Sequence, residues 1–282
     1  MKLPQFRFLT AILVGCLSPV GAKADGVLPL FDTHVHYSQP AWQFFKTGEI
    51  FDLLKKAGVV KALVSSTPDD GTLKLYNLRK DVIVPSLRPY REGSDSSNWF
   101  AQQATLDYLT ARLKKGIYKA VGEFHLFEPR SALTPQVKEL VQLAVKYDIY
   151  LQIHSDALPI AVLFEQHPKL KIIWAHAGMS EPAETVEKML DRYKNLWTGV
   201  SFRAGDIAPG GTLDKAWRDV ILKHSDRFVY GTDTYVTGRW GDYLTLVEEH
   251  RNWINQLPRE VAEKVAFRNA VRLFGIKAGF PD

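Results

Sequence analysis

The stretch FDTHVH at residues 31–36 decides how this chain reads. It ends an apolar run that begins at Leu28 and sets His34 and His36 two positions apart. Side chains alternate faces along a strand, so His34 and His36 share one direction while Thr33 and Val35 take the other. Two imidazoles on one face suit a single cation. A lone His-x-His is common by chance and carries little weight.

The same placement recurs down the chain. Glu123 lies in AVGEF at 120–124, His154 ends YLQIH at 150–154, His176 ends IIWAH at 172–176, and Asp233 ends FVYGTD at 228–233. Each metal-ligand residue type sits at the last one or two positions of an apolar run, ahead of a polar or glycine-containing turn. Strand candidates are 28–36, 59–65, 82–87, 120–124, 149–154, 170–176, 196–201 and 228–233. Amphipathic stretches at 99–115, 135–147, 182–193 and 213–224 show helical spacing. Eight strand–helix units in a row predict a single-domain α/β fold, a closed (β/α)8 TIM barrel, over residues 25–282. An open doubly wound sheet would spread these residues along a line instead of gathering them at one mouth. Counting parity along each strand places Gln152 with His154, Trp174 with His176, and Val229 and Gly231 with Asp233.

Residues 1–24 read as a signal peptide. Lys2 and Arg7 precede an apolar stretch at 8–17, Pro19 breaks it, and Ala22-Lys23-Ala24 offers small residues at the cleavage positions. Cleavage after Ala24 predicts an exported, periplasmic or secreted protein starting at Asp25. The rival is lipoprotein processing, because Leu13-Val14-Gly15 before Cys16 resembles a lipobox and would anchor the chain through Cys16. The apolar stretch is too short for a comfortable permanent span, so no stable membrane insertion is expected once the signal is removed. Cys16 is the sole cysteine, which excludes structural disulfides. Losing residues 1–24 removes three bases and no acid, leaving 33 Lys and Arg against 31 acids, a net of +2. That balance shows no nucleic-acid footprint. Oligomeric state is not encoded in any recognisable pattern.

Each site residue also has an ordinary reading. Glu123 would pair with Arg88, Asp233 would cap the following helix, and His154 and His176 would be hydrogen-bonded core histidines. Together, in the order two His, Glu, His, His, Asp at strand ends, these readings must all hold at once. His167, His224 and His250 lie in or near helical stretches and are expected to be solvated.

The order FDTHVH, GEFHL, IHSD, AHAG, GTD, followed by NAVRLFG near the C-terminus, resembles the amidohydrolase superfamily, in its amidohydrolase-related branch of metal-dependent barrel enzymes. The resemblance implies that His34, His36, His154 and Asp233 bind a main divalent metal. His176 would be a second ligand or substrate-orienting group. Glu123 stands where other members place a carboxylated lysine or a glutamate bridging two metals, so one or two ions are expected. Imidazole and carboxylate ligands without cysteine favour zinc, with manganese second.

A divalent ion so held lowers the pKa of water toward neutrality. Asp233 is the candidate general base and His176 its catalytic neighbour. The expected reaction is hydrolysis of an amide, ester or lactone in a small, carboxylate-bearing molecule. Metal-dependent decarboxylation is the main alternative; a TatD-type phosphodiesterase and a non-catalytic metal-binding protein are the others. Candidate substrate contacts are Arg88, Tyr90, His125, Arg203 and Arg239, since a guanidinium offers a planar fork for a carboxylate. Small residues at 93–97 and 209–211 suggest mobile lids.

Overall fold

A computed structural model describes residues 27–276, so the expected signal, Cys16 and the Asp25 start lie outside the described residues. Eight parallel strands run side by side in chain order: β1 (Leu30–Val35), β2 (Val59–Val64), β3 (Ile83–Leu87), β4 (Ala120–His125), β5 (Tyr150–His154), β6 (Ile172–Trp174), β7 (Leu196–Gly199) and β8 (Phe228–Val229). The two outer strands meet. Thr33 N donates to Tyr230 O at 2.9 Å, and Asp233 N donates to His34 O at 2.7 Å. The eight-stranded barrel predicted from the sequence is therefore the fold.

Helices alternate with the strands: α1 (Thr47–Lys56), α2 (Asp70–Leu78), α3 (Gln103–Leu113), α4 (Pro135–Lys146), α5 (Ala157–Gln166), α6 (Ala183–Arg192), α7 (Lys215–Lys223) and α8 (Tyr243–Ile254). Local chemistry sets the starts of two of them. Thr134 accepts a hydrogen bond from Val137 N with Pro135 in the first turn of α4, and Asp214 accepts from Trp217 N at the head of α7. Val137, Leu140, Val141 and Ala144 then recur at helical spacing and bury one face of α4 against the strands. A final segment from Arg259 to Phe274 brings Phe274 within 5.7 Å of Phe31 and of Tyr150, ring centre to ring centre. No helix among the described residues is long and apolar enough to cross a membrane.

Several expectations change. β6 and β8 stop at Trp174 and Val229, short of the expected 176 and 233. The stretch read as a helix from Trp99 begins with a separate 3-10 turn, and α3 itself starts at Gln103. Residues 93–97, expected to be mobile, form a 3-10 turn held by buried Asp95, which accepts from Arg91 N at 2.8 Å and pairs with the Arg91 guanidinium at 3.0 Å. His250, expected in solvent, is buried in α8; its ring packs on Tyr230, and its Nδ1 accepts from Trp253 Nε1 at 3.1 Å. His167 and His224 are half-buried.

Candidate metal centre

The six candidate ligands converge at the end of the barrel where the strands terminate. His34 lies within β1 and His36 directly follows it, and parity places them together as predicted. Glu123 and His154 come from β4 and β5. His176 and Asp233 arrive differently. Both lie beyond their strands in the left-handed region, with φ of 55° and 62°, so it is a backbone turn and not strand alternation that aims them. Two glycines make room. A Cβ at Gly231 would lie 2.8 Å from His34 Cβ, and one at Gly122 would lie 2.1 Å from Gln152 O.

Their polar atoms form two adjoining clusters that share Glu123. In the first, His34 Nε2 and His36 Nε2 stand 3.1 Å apart. Glu123 Oε2 lies 3.3 Å and 3.5 Å from them, and Asp233 Oδ1 lies 3.5 Å and 3.3 Å from them. Four ligand atoms around a tetrahedral ion with arms of about 2.0–2.1 Å would be separated by about 3.3–3.4 Å. In the second, Glu123 Oε1 lies 3.0 Å from His154 Nδ1 and 2.8 Å from His176 Nε2.

The donor set fits a cation. His36 Nδ1 lies 2.5 Å from Ser65 O and His176 Nδ1 lies 3.0 Å from Ser201 O; a carbonyl only accepts, so both hydrogens sit on Nδ1 when the rings are neutral. The Nε2 lone pairs then face carboxylates and one another. Asp233 Oδ1 is buried and has no hydrogen-bond partner. Such a pocket is tolerable only with positive charge at its centre, from protons or from a metal. Without a metal, burial opposes charge on His176, yet Glu123 outweighs it and its pKa rises. Burial likewise opposes ionisation of Asp233, but His34 and His36 pull it down to about 2. Glu123 is held well below the usual range against its own burial by His34, His154 and His176.

Three orienting residues were not anticipated from the sequence. Ser201 Oγ lies 2.8 Å from His34 Nδ1 and 3.1 Å from His176 Nδ1, while Ser65 holds His36. Asp32 is fully buried and accepts from His34 N, Thr232 N, Thr232 Oγ1 and Tyr243 OH at 2.7–3.1 Å. Burial raises its pKa to about 6 despite those donors. It shares strand parity with His34 and His36, and that was the available signal.

The candidate substrate contacts divide. Arg88 donates to Glu123 O at 3.0 Å and Glu123 Oε2 at 3.2 Å, so it braces the shared carboxylate. Arg203 is buried, bonds the carbonyls of His176, Ala177 and Glu181, and lies 2.7 Å from Asp206. Arg239 donates through Nε to Asp233 O and through Nη2 to Thr232 O; its guanidinium stacks 4.7 Å from Phe202. Tyr90 OH accepts from His125 N at 2.8 Å and lies 3.1 Å from His125 Nδ1. Beside the first cluster, a cavity of about 160 Å³ is lined by His36, Ser38, Ala41, Thr234 and Tyr235, among others.

A parallel barrel that gathers imidazoles and carboxylates at its C-terminal mouth defines a metal-dependent enzyme architecture. Residues 99–276 match the amidohydrolase family, and the chain belongs to it; as a member it is a metal-dependent hydrolase. No curated protein matches the chain in sequence. Its fold is similar to that of a probable 2-pyrone-4,6-dicarboxylic acid hydrolase from Acinetobacter baumannii with citric acid bound, at 13% identity and a TM-score of 0.64 over 88% of this chain and 100% of that one. A TatD homologue from Escherichia coli follows at 19% identity and a TM-score of 0.60, over 88% and 98% of the two chains. An amidohydrolase from Burkholderia multivorans with bound zinc has 11% identity and a TM-score of 0.58, over 88% and 100%.

Proposed function

We propose that the chain hydrolyses an amide, ester or lactone bond of a small carbonyl compound, with zinc the favoured ion and manganese the second choice. His34, His36, Glu123 and Asp233 would hold one ion, and Glu123, His154 and His176 offer a place for another. A divalent ion there supplies Lewis acidity, making water a nucleophile near neutral pH and polarising the carbonyl. The observation that carries the reading is Asp233 Oδ1, buried and without a hydrogen-bond partner beside both imidazoles.

Asp233 accepts the proton of the attacking water as oxygen adds to the carbonyl carbon. The C–N or C–O bond then breaks, and Asp233 returns that proton to the departing nitrogen or oxygen. With Tyr90 OH donating to His125 Nδ1, the neutral His125 ring carries its hydrogen on Nε2, ready to donate to the carbonyl oxygen. Arg88 and Arg203 are committed to the protein, so a carboxylate on the substrate is assigned to Arg239, whose Nη1 makes no hydrogen bond among the described residues. We place this work outside the cytoplasmic membrane, on the basic and then apolar pattern of residues 1–24.

The test strips metal with chelator, restores zinc or manganese, and follows base uptake over carboxylic esters and lactones, amine release over amides, and carbon dioxide release over all three. Metal-dependent base uptake or amine release is expected. Carbon dioxide release would assign the site to decarboxylation, and turnover unaffected by chelation would remove the metal from the reaction.

A further inference from the structure

Because all strands are parallel, the seven turns leading from a helix into the next strand lie at the end of the barrel opposite the metal centre. These turns (55–61, 78–83, 113–120, 146–149, 167–171, 192–195 and 223–227) hold 15 Lys and Arg against three Asp, and every one contains a lysine. From residue 25 onward the chain carries a net of +2, so all its other residues sum to −10. Helix dipoles favour cations in a last turn, which accounts for Lys56, Lys146 and Lys223. They do not account for Lys61, Lys119, Lys169 or Lys194, which lie past the helix ends. Lys55, Lys56, Lys114, Lys115, Lys119 and Lys194 are exposed and make no ion pair among the described residues.

The chain enters the barrel on this same floor. Val27 is 78% exposed and leads into β1, beside a groove of about 870 Å³ that includes Lys55, Lys56, Arg251 and Arg259. In the sequence, Lys2, Arg7 and the apolar stretch 8–17 lie upstream of that point.

We propose that this floor docks on an anionic phospholipid surface and presents the metal centre to the solution. A lysine ring meets lipid headgroups broadside, and Val27, the first described residue, lies on the same face beside Lys55 and Lys56. A duplex nucleic acid is the competing polyanion. The membrane is favoured because entry point and basic ring coincide. This inference does not rest on the hydrolase reading.

The full chain is mixed with phosphatidylcholine vesicles, with and without phosphatidylglycerol, across a salt series, and sedimented. Binding at low salt at least about tenfold stronger to the anionic vesicles, and weakening as salt rises, is expected. Glu at Lys55, Lys56, Lys114 and Lys115 abolishes that preference, and Gln at the same four positions weakens it. Glu at Lys74, Arg130, Lys138 and Arg218, on other faces, leaves it in place. Equal binding to both vesicles, equal loss in the two Glu sets, or binding of duplex DNA without binding of anionic vesicles would each overturn the proposal.

Discussion

His34 occupies the space where residue 231 would otherwise carry a side chain: a Cβ there would lie 2.8 Å from His34 Cβ and 3.2 Å from His34 N. The neighbour includes backbone of β1, so it cannot swing aside. Gly231→Ala is therefore expected to push His34 out of the first cluster, with an overpacking cost of about 1–3 kcal/mol. Chelator competition should show weaker retention of zinc, while far-UV circular dichroism stays near that of the parent. Unchanged metal retention would mean that the close approach at Gly231 does not set the position of His34.

Ser201 spans two imidazoles, so its loss should be felt through both. Removing an orienting partner of a ligand commonly weakens metal affinity about 10–100-fold. Ser201→Ala is expected to fall in that range without unfolding, read by competition with a metal indicator. A variant that holds metal as tightly as the parent would leave Ser201 a packing residue only.

Asp233→Asn separates holding an ion from moving a proton. The amide keeps one oxygen for coordination but cannot act as a base, so turnover should drop by roughly a hundredfold or more with part of the metal retained. His34→Ala together with His36→Ala should lose the metal of the first cluster outright. Full activity in Asp233→Asn would remove Asp233 from proton transfer.

His250 predicts an acid-sensitive contribution to stability. Burial depresses its pKa from 6.5 to about 3, so the unfolded chain takes up this proton first as pH falls. Its contribution is fully present above about 6.5 and is lost progressively down to about 3. His250→Phe removes the titration and leaves Trp253 Nε1 without an acceptor, a cost of roughly 1–3 kcal/mol that does not depend on pH. The parent's advantage in denaturant melts should thus shrink as pH falls below 6.5 and reverse before about 3. A gap that stays constant across that window would show that His250 is not buried neutral.

Much of this was legible in the sequence. The strand starts expected at Val59, Ala120, Leu196 and Phe228 are where those strands begin, and the alternation in FDTHVH put His34 and His36 together. Legibility failed where the backbone leaves regular geometry. Apolar runs carry no sign of the left-handed turns at His176 and Asp233, so parity counted through them had no meaning. His250 was misread because a place in a helical stretch does not by itself mean solvent. Yet Val247, His250 and Ile254 follow a helical stripe, and all three are buried. Free arginines could not be told from committed ones, since Arg88 and Arg203 find their partners through loops whose course composition does not reveal.

The seam between the outer strands is also a clock. Asp32 and Thr232 are 200 positions apart, and their bond helps to close the barrel where Asp233 joins His34 and His36. During synthesis the first two imidazoles must wait for nearly the whole polypeptide before their carboxylate partner exists. A chain cut short anywhere before residue 233 therefore has no complete first pocket, however many of its other strands have paired. An ion held there would tie the last strand to the first, so its binding energy would count toward closing the barrel.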